Sequence, residues 1–87
     1  MNMNYKVSLS RVSAKYLKRT DQVDRKRIIQ ALEGLKYNPP IGDILPMKGM
    51  TDHYRLRVGA YRIIFKVDHE NMLIIVKSIG PRGDVYK

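Results

Sequence analysis

Cysteine is missing from all 87 residues, which excludes disulfides, thiol catalysis and Cys-ligated zinc together. Such a chain suits a reducing cytoplasm. Acidic residues are scarce: Asp and Glu number 8 against 17 Lys and Arg, for a net charge of +9 and a pI near 10.0. An excess of this size points to a polyanionic partner. No apolar run has the length of a membrane-spanning helix, and the longest, Met72 to Val76, has the dimensions of a strand. No membrane association is therefore expected. The opening residues, Met1 to Val7, lack the basic and apolar regions of an export leader. Repeats, linkers and low-complexity stretches are absent too. A chain this short builds one core, so residues 1–87 are expected to form a single domain. His53 and His69 stand too far apart for metal-ligand spacing, and no Gly-rich phosphate loop, nucleophile elbow or pair of spaced carboxylates occurs. Neither a metal nor a cofactor is expected.

What is present suffices for a folded core, with 44% hydrophobic and 29% charged residues. Tyr5, Val7 and Leu9 alternate with polar neighbours, the period-two pattern of a half-buried strand. Ser10 is a plausible N-cap for a short basic helix with Val12, Tyr16 and Leu17 inward and Arg11, Lys15, Lys18 and Arg19 outward. Thr20 or Asp21 caps a second helix whose stripe is Ile28, Ala31, Leu32 and Leu35, widened by Ile29 and stopped by Asn38-Pro39-Pro40. Residues 38 to 52, with three of the four prolines and two glycines, read as a long irregular connection. Beyond it, Tyr54, Leu56 and Val58 share one face, and Tyr61, Ile63, Phe65 and Val67 repeat it. Gly59-Ala60 suits a two-residue hairpin turn that pairs Val58 with Tyr61, Arg57 with Arg62, Leu56 with Ile63 and Arg55 with Ile64. Met72 to Ile79, apolar on both faces, reads as a central strand reached through Asp68-His69-Glu70-Asn71. A tight turn there sets Val67 opposite Met72 and Arg62 opposite Lys77. The order β-α-α-β-β-β predicts an α+β fold with both helices on one face of the sheet.

Like charges directly opposite on one sheet face are destabilising, so Arg57 against Arg62 needs a reason. One reason is an anion site, in which rigid strands hold guanidinium groups around a phosphate. The other is a solvated basic face with splayed side chains. Arg55, Arg57 and Arg62 cluster on the face away from the aromatic core residues. Arg82 sits in Gly80-Pro81-Arg82-Gly83, where a tight turn alone would explain the glycines. Tyr86 either packs a strand edge or offers a ring for stacking on a base. His53 shares the face of Arg55 and Arg57; His69 falls in a turn and reads as surface.

Three segments together resemble the RelE/ParE toxin superfamily, and more closely its RelE branch: Met47-Lys48-Gly49, the run Tyr54-Arg55-Leu56-Arg57-Val58-Gly59-Ala60-Tyr61-Arg62-Ile63-Ile64-Phe65, and Gly80-Pro81-Arg82-Gly83-Asp84-Val85-Tyr86. The resemblance covers nearly the whole chain. It implies a twisted, antiparallel-rich sheet with a helical hairpin on one face. It also implies a toxin of a type II toxin–antitoxin system, an endoribonuclease that cuts mRNA in the ribosomal A site without a metal and is silenced by a RelB-like antitoxin. The catalytic positions of such toxins fall on Arg55, Arg57, Arg62, Arg82 and Tyr86, and Lys48, His53, Lys66 and Lys77 are expected to contact RNA. Arg57 and Arg62 would clamp phosphate, Arg82 would act on the leaving-group side, and Tyr86 would orient or stack a base. Some relatives carry lysine at the position of Arg55, and arginine cannot replace lysine as a base. Either arginine electrostatics carry the rate or His53 supplies the base. Two alternatives share the fold or the charge: a ParE-like toxin that poisons DNA gyrase, and a non-catalytic RNA-binding module.

Overall fold

The computed structural model describes residues 2–3 and 5–81. Strand β1 (Asn2–Met3) precedes β2 (Lys6–Leu9) and a hairpin of two helices, α1 (Arg11–Arg19) and α2 (Gln22–Gly34). Then come β3 (Tyr37–Asn38), β4 (Asp43–Pro46), β5 (His53–Val58), β6 (Tyr61–Asp68) and β7 (Leu73–Pro81). The main sheet has the order β2-β7-β6-β5-β4, antiparallel except for the parallel pair β2–β7, and β1 pairs with β3 apart from it. This is the expected α+β architecture, with three short strands, β1, β3 and β4, that the sequence pattern did not announce.

Both helices start as their caps dictate. Ser10 Oγ accepts the Ser13 N–H at 3.1 Å and Asp21 Oδ1 accepts the Asp24 N–H at 2.9 Å, each satisfying a donor that a helix start leaves open. The hairpin between them is tied by Arg25, whose guanidinium donates to the carbonyls of Leu17, Lys18 and Thr20 at 2.8 to 3.1 Å. That puts a cation on the C-terminal carbonyls of α1, where the helix dipole favours it. Helix α2 ends at Gly34, ahead of the prolines, because the chain folds back on it. Ile41 N donates to Gly34 O at 3.0 Å, and a Cβ on Gly34 would lie 2.7 Å from Ile41 O.

The core lies between the helices and one face of the sheet: Leu17, Ile28, Leu32 and Leu35 meet Leu56, Ile63, Phe65, Ile74 and Val76. Two expected core residues are outside it, Val12 being 65% and Ile29 43% exposed. In α1 the inward positions are Ser13 and Leu17, four apart, and this rotation turns Val12 to solvent. A serine takes a core position because β7 needs donors there. Ser13 Oγ donates to Val76 O at 3.1 Å and Ser10 Oγ to Lys77 O at 2.9 Å.

These carbonyls belong to a β-bulge. Phe65 pairs with Val76 and Ile64 with Ser78, leaving Lys77 as the extra residue of β7. The turn before β7 is also later than expected, since Asp68 pairs with Leu73 and Met72 takes the left-handed φ of 52° outside the strand. Val67 therefore faces Ile74 rather than Met72, and Arg62 faces Gly80 rather than Lys77. The hairpin β5–β6 has the expected register throughout, from Val58–Tyr61 to Arg55–Ile64, and Gly59 at its turn adopts φ 55°.

Candidate active site

Alternation along the strands sends a second set of side chains to the face opposite the helices, and the register stacks them in rows. The first row crosses the sheet as Asp43, Arg57, Arg62 and Gly80. The second is Leu45, Arg55, Ile64 and Ser78, and the third is His53, Lys66, Ile75 and Ser8. Arg57 and Arg62 are thus direct cross-strand neighbours, with Cβ atoms about 5 Å apart in such a pair. Next to Arg62 stands Gly80, where an added Cβ would meet nothing within 4 Å among the described residues. Among the described residues the row has a notch beside Arg62.

Asp43 explains how the two arginines tolerate each other. Arg57 Nε donates to Asp43 Oδ2 at 3.1 Å, so the carboxylate compensates one of the two charges and holds Arg57 in place from the edge strand. The bond occupies Nε and leaves the terminal nitrogens of that guanidinium for a ligand. On Arg62, Nη1 is buried and has no hydrogen-bond partner among the described residues. Arg57 thus keeps its terminal nitrogens for a ligand, whereas Nη1 of Arg62 is closed off from solvent. The sequence reading missed Asp43 because it lies in what looked like loop. The local signal is the short alternation Asp43-Ile44-Leu45, of which Ile44 packs on the core.

His53 opens β5 and is half-buried. Its Nδ1 lies 2.9 Å from Thr51 O. Lys66 is its cross-strand partner and is exposed. Lys48 is exposed in the turn between β4 and β5, and Lys77 is exposed at the bulge, so neither belongs to the arginine rows by register. Arg82 and Tyr86 lie outside the described residues; β7 ends at Pro81, opposite Tyr61 and one position past the arginine row. His69 donates from Nε2 to Asp52 Oδ1 at 3.2 Å and its Nδ1 lies 3.3 Å from the Tyr5 hydroxyl, which ties the β6–β7 turn to neighbouring loops. On the helix side an apolar cleft of about 210 Å³, lined by Tyr5, Leu35, Tyr37, Tyr54 and Phe65 among others, has no lysine or arginine among the described residues of its wall.

Comparison with known proteins gives a consistent result. Residues 9–86 match the family model described as the ParE toxin of the type II toxin–antitoxin system parDE. A Methanocaldococcus jannaschii protein that goes under the toxin name RelE1 is 31% identical over 88 aligned residues, covering 98% of each chain. Among solved structures, a chain of the RelE–RelB complex of Pyrococcus horikoshii superposes with a TM-score of 0.82 and 28% identity, over 94% of this chain and 99% of that one. The RelB–RelE complex of Methanococcus jannaschii gives 0.71 and 30%, over 90% and 93%. A variant of Escherichia coli RelE in the free state, 22% identical with a TM-score of 0.79 over 93% and 86%, shares the fold.

Proposed function

The chain belongs to the RelE/ParE superfamily of toxins from type II toxin–antitoxin systems, and from that premise we propose that it is a cytoplasmic endoribonuclease cutting mRNA in the ribosomal A site. The observation that carries the reading is the row Asp43-Arg57-Arg62-Gly80: two arginines set opposite each other on the sheet face away from the helices, beside a glycine with open space around it among the described residues. A phosphate seated there is bound by fork-shaped, charge-assisted donors, and the extra negative charge of a pentavalent phosphorane strengthens every one of those bonds. The 2′-hydroxyl attacks the adjacent phosphorus, giving a 2′,3′-cyclic phosphate and a 5′-hydroxyl without a metal. Arg55 adds positive charge from the second row, with Lys66 and His53 beyond it toward the flanking RNA. Arg82 and Tyr86 complete the set by resemblance to RelE toxins. A face this rich in donors and short of conventional bases depends on ribosomal RNA to present the strand. The RelB-bound neighbours and the charge of +9 support a RelB-like antitoxin as the partner that silences the protein.

Purified protein added to programmed ribosomes with a vacant A site should cut the message there and leave naked RNA intact. A 2′-deoxy nucleotide at the cleaved position should abolish cutting. Equal cleavage of free RNA, or 5′-phosphate products, would refute the mechanism. The description of the matched family favours a second reading, inhibition of DNA gyrase by a ParE-like toxin. Gyrase poisoning in a supercoiling assay, with intact message on ribosomes, would establish it instead.

A further inference from the structure

We propose that Ser78 is a specificity-determining residue of this site, its Oγ accepting a hydrogen bond from the ribose 2′-hydroxyl beside the seated phosphate; the inference rests on the RNA-cleavage reading and adds the group that recognises the sugar. The β-bulge brings Ser78 to this face. Phe65 pairs with Val76, and strict alternation from there would set Lys77 opposite Ile64 and Ile79 opposite Arg62. An isoleucine would then fill the notch. The extra residue shifts the register, so that Ser78 stands opposite Ile64 and Gly80 opposite Arg62, while Ile79 turns inward and is buried opposite Ile63. The shift is held from the helix layer, where Ser10 Oγ donates to Lys77 O at 2.9 Å and Ser13 Oγ to Val76 O at 3.1 Å. One insertion thus clears room for a phosphate and puts a hydroxyl one row away from it.

Chemistry and spacing both select this hydroxyl. Ser78 is half-buried, and its Oγ has no hydrogen-bond partner among the described residues. The charged side chains nearest to it among those residues only donate: Arg62 in the row of the phosphate, Arg55 in its own row and Lys66 in the next. A 2′-hydroxyl placed among them needs an acceptor, and a serine oxygen offers two lone pairs. The Asp43 carboxylate stands at the far end of the first row, three strand spacings or about 14 Å from Gly80, and its Oδ2 already accepts from Arg57. Ser78 is within reach. It alternates with Gly80 on β7, so the two positions lie about 6 to 7 Å apart on one face. A 2′-oxygen ready to attack is about 3 to 3.5 Å from phosphorus, and a hydroxyl–hydroxyl bond adds about 2.7 to 2.8 Å. Together these lengths span the distance from a phosphate at Gly80 to Ser78. The bond holds the nucleophile beside phosphorus and transfers no proton. Because deoxyribose lacks the group, the same contact separates RNA from DNA.

The test is a cycle of two proteins and two sugars on programmed ribosomes. Half-saturation of single-turnover cleavage reports affinity for the all-ribose message, and competition against that cleavage reports affinity for ribosomes whose message carries a 2′-deoxy nucleotide at the cut. The native chain should bind the deoxy message about 3- to 10-fold more weakly. Ser78→Ala should weaken binding of the ribose message by the same factor, leave the deoxy message within about twofold, and so lose the preference. Structural damage would weaken both alike. A 2′-fluoro message should compete as weakly as the deoxy one against the native chain, because fluorine cannot donate; this measurement stands even if the variant misfolds. Equal losses for both messages in Ser78→Ala, or a 2′-fluoro message bound as tightly as ribose, overturns the assignment and leaves the nuclease reading untouched. A native chain that does not cut removes both.

Discussion

Arg57 and Arg62 face each other across β5 and β6, and Asp43 on the edge strand holds Arg57 by its Nε. Truncating either arginine relieves repulsion, and truncating Arg62 also removes a buried N–H without a partner among the described residues. Arg57→Ala and Arg62→Ala are therefore expected to melt at or slightly above the native midpoint while single-turnover cleavage falls roughly 100- to 1,000-fold. Unfolding of Arg62→Ala in circular dichroism would make that arginine structural. Asp43→Asn separates the two effects further. The pair is exposed and contributes at most about 1 kcal/mol to stability, so the melting point should barely change. Cleavage should drop several-fold, because Arg57 keeps its charge and loses its anchor. Away from the site, the Tyr61 hydroxyl donates to Asp24 Oδ2 at 2.7 Å, and this bond, with smaller help from desolvation, raises the phenol from its ordinary 10.0 to about 12. The protonated phenol is thus favoured in the folded state. Its contribution is complete below pH 10 and is lost as pH rises from 10 toward 12. In Tyr61→Phe the decline of stability over that window should be shallower, as pH-dependent denaturant titration would show.

Gly59 lets the β5–β6 hairpin close in two residues at φ 55°, and a side chain there is strained. Gly59→Ala should lower unfolding free energy by about 1 to 2 kcal/mol, measured by denaturant titration. Arg27 Nη1, 3.1 Å from the added Cβ, can swing aside and does not set that cost. Ser13→Ala should cost only about 1 kcal/mol, since Val76 O retains the Ser10 N–H at 2.9 Å. The hairpin was legible in the sequence because a two-residue turn fixes register by itself, and the arginine face followed from the alternation it imposes. The register of β7 was not. It depends on a left-handed Met72 and on a bulge whose carbonyls are met by Ser10 and Ser13, groups distant in sequence from it. Neither leaves a periodic trace. β4 escaped notice because four residues ending in proline bury one side chain, Ile44, too little to form a pattern. Its loss from the reading hid Asp43, and the orientation of the His53 ring lies in a bond to a backbone carbonyl that composition cannot reveal.

Over the whole molecule, a charge of +9 makes any polyanion attractive, and counterion release makes that attraction fall as salt rises. Ribosome affinity should weaken steeply between about 50 and 200 mM salt, whereas the rate of the bound complex should change little. Equal salt sensitivity of both quantities would place the bulk charge in the chemical step. The connectivity of the sheet has a further effect, on timing. β7 is an interior strand, between β2 and β6, and the serines that open α1 find their acceptors on it across a separation of 63 and 67 residues. Such long loop closures must come before the core can form. Until residues 73–81 clear the exit tunnel of the ribosome translating them, β2 has no partner, β6 has one bare edge, and the arginine row lacks the strand that backs it. On the proposed activity, the nascent chain is harmless to its own maker, because the strand that completes the weapon is the last of the sheet's described strands to be delivered.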